Sequence, residues 1–515
     1  MRSKARSGIQ EIVLYRGLFD LNPCTSNRIL VHINDAYMVD QGVNQMKRTI
    51  LYLLFLFYLL STGCAPQGIM GQAPLRQGGD VTLYLQPMPQ GAEKYRFIIE
   101  GITAVREGGI EIPFSLSMKE IKAVTSLGRQ RILAVGSLPP GTYTGLAVTI
   151  KSAFIQGEEG ENALLVPEGP LQVDHAFKVN DKEALTLFLT YQSGGEIGDD
   201  VVRFAPSFSL ALPVGELITL KGYVTNTEAN MVSVFNKKTV QVVGALSTGK
   251  GPMGIAIDEI RRRAYIAVSE DDSVEVIDLI EEATIDRLKL NFRDKPVDLV
   301  LTPDRRTLVV ANYDSGSASI IDANSLFEIF RVKVGEGPTS VVMGPAGRNA
   351  YVINSITNSV SVVDLTQRTP TINIGLEGEP LRGAFNRAGD RLYIVSRRSP
   401  NVSVIDPSRF TVTEKIFVGI GAVSIRLDPK TGLLLVGKAS GGEIIFIDPF
   451  SSMFIDTIPI GGSAAYMSID EETYTLFVAL PEKNTIQKVN LTAKKIVGEL
   501  EVREGAFAVM VMGER

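Results

Sequence analysis

Seven acid or amide residues recur along the chain at a nearly fixed interval: Asn236, Asp278, Asp322, Asp364, Asp406, Asp448 and Asn490, with gaps of 42, 44, 42, 42, 42 and 42 residues. A carboxylate series could hold a divalent cation through hard oxygen ligands, or exchange protons as general acid and base. Either task needs several of the groups to converge on one point. Each one instead closes its own short β-branched run, as in Val274-Glu275-Val276-Ile277-Asp278. One acid per repeat, each at a strand end away from the centre, points to a local task. An Asp there can cap the backbone N–H groups of the following turn, and Asn can do the same without charge.

The other chemistry-bearing residues are sparse. The chain has two histidines, His32 and His175, two cysteines, Cys24 and Cys64, and no tryptophan. His175 falls on an expected strand and reads as structural. With it as the one histidine beyond residue 63, histidine-assisted nucleophilic catalysis and most transition-metal centres are disfavoured. Acidic loops at Glu158-Glu159 and Asp199-Asp200 lack the alternating oxygen ligands of a dedicated calcium loop and read as solvated.

The elements that must position the series follow from its phase. Thirteen residues before each acid or amide stands an apolar position: Tyr223, Tyr265, Val309, Tyr351, Tyr393, Leu435 and Phe477. Runs of about five β-branched and aromatic residues alternate with Gly, Pro, Asn and Asp, so each copy reads as a small antiparallel sheet. A period in the low forties with four strands is that of a propeller blade. In residues 296–334 the order is an inner strand A (296–301), B (307–311), C (318–322) and an outer D (327–334). A Gly-x-x-Pro turn precedes strand A in Gly249-Lys250-Gly251-Pro252, where proline at a strand's first residue costs no ladder bond. Ala422, Ala464 and Ala506 replace that proline in the last three copies. The array opens with B, C and D and finishes with an A-like strand, residues 507–512, which is expected to complete the first blade and close the ring.

Tyr223-Val224-Thr225-Asn226, followed by Val232-Ser233-Val234, resembles the signature of the YVTN propeller repeat, and the likeness covers residues 217–512. The resemblance implies an all-β, seven-bladed β-propeller. The roles of that family are diverse, including surface-layer, envelope and partner-binding proteins. Metal-dependent lactonase and lyase propellers usually need histidine ligands, and quinone-cofactor propellers carry tryptophan docking motifs, so a propeller enzyme or cofactor carrier using carboxylates alone is the alternative reading. No cofactor is expected.

Ahead of the array, Met46-Lys47-Arg48 precedes an apolar run, residues 50–60, and then Ser61-Thr62-Gly63-Cys64. Eleven apolar residues fall short of the roughly 20 a spanning helix needs, and the flanks fit an export signal over residues 46–63. Its end resembles the lipobox of bacterial lipoproteins, with Leu60 one place early, which implies lipidation of Cys64. Ala65 resembles the outer-membrane sorting pattern. Residues 1–45 fit no export logic, so translation is expected to start at Met46, the competing reading being a real cytosolic extension. Residues 64–80 read as a Gly/Pro/Gln-rich tether. Residues 81–212 contain seven β-rich runs, with turns at Gly108-Gly109 and Pro139-Pro140-Gly141 and one short helix at 117–124, and read as an antiparallel β-sandwich. Leu138-Pro139-Pro140-Gly141-Thr142-Tyr143-Thr144-Gly145-Leu146 resembles an uncharacterised sandwich domain of bacterial lipoproteins.

Seven of the 52 basic and four of the 57 acidic residues precede Cys64, leaving 45 against 53 and a formal charge of −8. That balance, without a basic stripe of interleaved aromatics, argues against a nucleic-acid partner. The expected function is therefore a non-enzymatic envelope lipoprotein, membrane-bound through its lipid, that captures an envelope protein or surface polymer. Binding is expected on the face of the D–A and B–C loops, which vary while strands repeat. There Arg382, Arg397, Arg398 and Lys438 fall in blades five and six, and Glu270, Asp271, Asp272 and Asp314 in blades two and three. The connection 289–295 is the one lengthened, by two residues.

Overall fold

The computed structural model describes residues 78–157, 160–197 and 202–514. Cys64, the export signal, the tether up to residue 77, Glu158-Glu159 and Asp199-Asp200 lie outside the described residues.

Alternation of apolar residues with turn formers divides residues 221–511 into seven four-stranded antiparallel sheets. In the third, Pro296–Leu301, Thr307–Asn312, Ser317–Asp322 and Phe327–Lys333 lie side by side in that order. The two middle strands are buried on both faces, whereas the outer strand of the second sheet, Ala283–Lys289, is almost wholly exposed. The first sheet is composite. Ala506–Val511, from the end of the chain, pairs antiparallel with Lys221–Asn226, matching Gly222 to Val511 and Val224 to Val509. It occupies the inner position, beside the inner strands Pro252–Asp258 and Tyr466–Asp470 of the adjoining sheets.

The aromatic residues of strand B sit between sheets. Tyr265 is fully buried and donates to the Ala323 carbonyl of the next sheet at 3.0 Å, and Phe235 packs on Phe477 with ring centroids 5.3 Å apart.

The acid and amide series does what its spacing implies. Asp278 Oδ1 accepts from the N–H groups of Ile280 and Glu281 at 2.8 and 3.0 Å, and Asp322 and Asp406 repeat the pair. Asn236 accepts from Lys238 and Thr239 through the same atom. Asp364, nearly buried, accepts from Thr366 and Gln367, both at 2.8 Å, and meets Arg348 at 2.9 Å. The Gln367 N–H, more than any other group, holds its carboxyl below the ordinary range. A carboxyl with a depressed native pKa contributes stability that is complete above its unfolded value of about 3.9 and is lost as pH falls through the native value. Asp364→Ala is expected to cost about 1 kcal/mol at pH 7, the usual loss for a side-chain cap on backbone N–H groups. Replacing the five aspartates by Asn should leave neutral-pH stability nearly unchanged and move acid unfolding to lower pH. Circular dichroism during acid titration measures both.

Residues 79–211 form two sheets packed face to face. One contains Gly79–Leu85, Ser115–Leu116, Arg131–Leu138, Ala184–Ile197 and Val202–Ala211; the other is built on Tyr95–Arg106 and Gly141–Gly157. Val81, Leu83 and Leu187 from the first meet Phe97, Ile99 and Val148 from the second in one core. The turn before Gly141–Gly157 is fixed by Tyr143, whose hydroxyl donates to the Pro139 carbonyl at 2.8 Å. A Cβ on Gly145 would lie 2.2 Å from the Val173 carbonyl oxygen, so only glycine fits.

Two sequence expectations need correction here. Gly79–Leu85 pairs parallel with Ala184–Ile197, because a long connection separates them and no hairpin imposes an antiparallel register. The helix expected at 117–124 is a single turn, Ala123–Ser126; Glu120–Lys122 is extended and pairs with Tyr95–Arg106 instead.

The two-sheet domain is docked against the first and last four-stranded sheets. Tyr84, Ile132 and Phe188 join the core around Tyr223, Val242 and Leu500. Gln130 completes the outer edge of the first sheet, donating to the Val242 carbonyl at 3.1 Å and accepting from its N–H at 2.8 Å. Glu501 accepts from the Arg131 side chain and the Ile132 N–H at 2.5 and 3.0 Å, and Arg503 donates to Thr82 at 2.9 Å. Because both adjoining sheets are engaged, the domain bridges the place where the two ends of the seven-sheet array meet.

Candidate functional site

The inner strands line a central channel, and a repeated irregularity decides which side chains enter it. In the third sheet Pro296 faces Asn312 while Asp298 faces Ala311, leaving Val297 as an extra residue. Such a bulge turns two successive side chains toward one side. The same shift recurs after Pro338, Pro380 and Ala422. The residues one place after the turn, Met253, Val297, Thr339, Leu381, Val423, Ala465 and Phe507, consequently ring a cavity of about 500 Å³ at the loop end of the channel.

Below that ring lies a second cavity of about 460 Å³ with a charged cluster of Asp298, Arg382, Arg426, Tyr466 and Glu514. Arg382 Nη1 is 3.9 Å from Asp298 Oδ2, and Arg426 Nε is 3.4 Å from Glu514 Oε1. The Arg382 guanidinium lies 4.4 Å from the Tyr466 ring centroid and 5.6 Å from that of Phe507. Burial pushes the Asp298 and Glu514 carboxyls up, opposed chiefly by Arg382 and Arg426 respectively. It also raises the Tyr466 phenol. Burial works against the Arg426 charge, yet Glu514 and Tyr466 hold it above its ordinary value. Among the described residues, no three His, Cys, Asp or Glu side chains group as a metal ion would need. No helix there is long and apolar enough to cross a membrane.

The residues expected on the loop face are divided. Arg382 is a correction: the bulge carries it into the channel, where its side chain is 13% exposed. Asp272 is a second correction. It is buried, and its carboxylate accepts from the N–H groups of Arg293 and Lys295, both at 2.9 Å, so it braces the neighbouring loop. Arg397 and Arg398 are on the face, both meeting Glu379, at 3.0 and 3.1 Å. Lys438 donates to the Val418 carbonyl at 3.0 Å. Glu270 is exposed, Asp271 accepts from the Lys250 N–H at 2.9 Å, and Asp314 meets Lys295 at 3.0 Å. Local pairing thus makes the charge asymmetry of this face smaller than the sequence implies.

The lengthened connection is ordered from within. Asp294 is buried and takes both carboxylate oxygens to Arg331 Nη1, at 2.6 and 2.7 Å, while also accepting from the Asn291 N–H. With Asp272 on its other side, the loop holds Phe292 outward, 85% exposed. Ile356, Phe417 and Ile420 are further exposed apolar residues at this end of the sheets. Sequence reasoning found the lengthened loop but not its aromatic tip, although Phe292 lies within it. It also missed Asp298, Arg426 and Tyr466. For Asp298 and Tyr466 the available signal was their phase, two residues after the Pro or Ala that opens strand A, where Gly254, Ser340, Ser424 and Ala508 are small.

Residues 218–429 match the family model described as YNCE-like beta-propeller. Among solved structures, a functionally unknown protein from Desulfotomaculum acetoxidans aligns over 57% of this chain and 99% of its own, at 13% identity and a TM-score of 0.50. Hydrazine synthase from Kuenenia stuttgartiensis aligns over 51% and 90%, at 18% identity and a TM-score of 0.47. Dihydro-heme d1 dehydrogenase NirN in complex with DHE aligns over 58% and 77%, at 13% identity and a TM-score of 0.47. No curated protein matches the chain. At these identities the likeness is one of fold, and the fold is a β-propeller.

Proposed function

We propose that this chain is a closed seven-bladed β-propeller carrying a β-sandwich, held at a bacterial membrane through a lipid on Cys64. It captures an envelope protein or surface polymer on the loop face without catalysing a reaction. The observation that carries this reading is the lengthened loop at residues 289–295. Two buried aspartates and Arg331 hold it in place, and its result is an 85% exposed Phe292. With the Arg293 guanidinium 5.6 Å from its ring and most of its surface in water, Phe292 contributes little to the stability of an isolated fold. Held at a fixed position, it suits the central anchor of an interface, where aromatic residues carry much of the affinity.

Arg397 and Arg398, across the same face, would orient an acidic region of the partner. Reversing both to Glu places three carboxylates together with Glu379. Capture of partners by cross-linking in intact cells is expected to fall about ten-fold. Unchanged capture would refute these two residues as part of the site.

A further inference from the structure

Arg382 is the unusual group in the channel. Its side chain is 13% exposed and the nearest carboxylate oxygen, on Asp298, stands 3.9 Å away, beyond hydrogen-bond distance. Arg331, a comparably covered arginine, donates to both Asp294 and Glu328. Arg426 is committed to Glu514 and to the Ile425 carbonyl. Arg382 therefore keeps five N–H donors without a protein acceptor among the described residues, while Tyr466 and Phe507 stack against its guanidinium. A covered polar group normally finds a partner, and this one borders the cavity of about 500 Å³ above it.

That cavity has a distinct chemistry. Met253, Val297, Leu381, Val423 and Phe507 make its wall mainly apolar, and its charged lining residues, Lys295, Arg382 and Arg397, are all cations. Lys295 and Arg397 are already paired with Asp314 and Glu379. The volume is that of a metabolite-sized site with a few placed polar groups. We propose that the mouth of the channel binds a small amphiphilic carboxylate, its apolar body inside the ring and its carboxylate on Arg382. The planar guanidinium fork matches a carboxylate in two parallel hydrogen bonds. Asp298, beside it, disfavours a ligand carrying a second negative charge. This site shares Arg397 with the loop-face reading, but it rests on Arg382 and the apolar ring and stands or falls without that reading.

Titration calorimetry on the purified full chain tests the proposal with three probes that share one apolar body: decanoate, decanol and decylamine. Decanoate is expected to bind at one site per chain, decanol at least ten-fold more weakly, and decylamine not at all. Arg382→Met should weaken decanoate at least ten-fold. Val423→Phe, which grows into the cavity, should abolish binding while leaving thermal unfolding close to that of the parent. Absence of decanoate binding would overturn the site, as would decylamine binding as tightly as decanoate. If Arg382→Met does not fold, unchanged decanoate binding by Val423→Phe would still place the ligand elsewhere and sink the proposal.

Discussion

A chain ending at residue 504 is expected to lose its single cooperative unfolding transition, or to melt about 10 °C or more below the full-length protein. The missing strand, Ala506–Val511, is the inner strand of the first sheet. Its loss uncovers Val224 and Tyr223, and removes Val509, Val511 and Met512 from the core they share. At about 1.5–3 kcal/mol for each large buried side chain, those three alone contribute about 5–9 kcal/mol. That is comparable to the whole stability of many domains, about 5–15 kcal/mol. The hydrogen-bonding edge of Lys221–Asn226 would also be left open, inviting association. Differential scanning calorimetry decides the matter, and an unchanged melting temperature would mean that the ring does not depend on this strand.

The second large effect is expected at Lys237. Its side chain is 3% exposed, and the ammonium donates to Asp470, itself fully buried, at 3.0 Å and to the Met512 carbonyl at 2.8 Å. One side chain therefore ties the first sheet to the last and to the residue just beyond the closing strand. Burying a pair of charges yields little net stability, but removing one partner strands the other in a poorly solvated site. Lys237→Met should cost about 3–5 kcal/mol by urea unfolding. Adding Asp470→Asn should recover a substantial part of that loss. A Lys237→Met protein as stable as its parent would show that Asp470 finds enough water to do without the lysine.

What was legible in the sequence is what repeats locally. Period-two alternation and turn residues fall within one sheet, so strand order, the buried tyrosines and the capping role of Asp278 and its counterparts could be read from spacing. The channel was not legible, because the bulge after Pro380, like the one after Pro296, shifts register by one residue and so sends Arg382 inward. Nothing in a one-dimensional pattern marks that shift; the alternating rule applied without it puts Arg382 at the rim. Docking of the two-sheet domain was hidden for another reason. Arg503 meets Thr82 across 421 residues, and Gln130 meets Val242 across 112. Contacts at such separation leave no period. The parallel pairing of Gly79–Leu85 belongs to the same class.

The capture face is the claim on which the functional account rests, and a photo-cross-linking residue placed at position 292 in intact cells tests it most directly. Position 327 provides the control. Phe327 is also well exposed, at 70%, but begins an outer strand at the opposite end of the sheets. Discrete cross-linked species are expected from position 292 that are absent, or much weaker, from position 327. Equal yields from the two positions, or adducts from 327 alone, would contradict it.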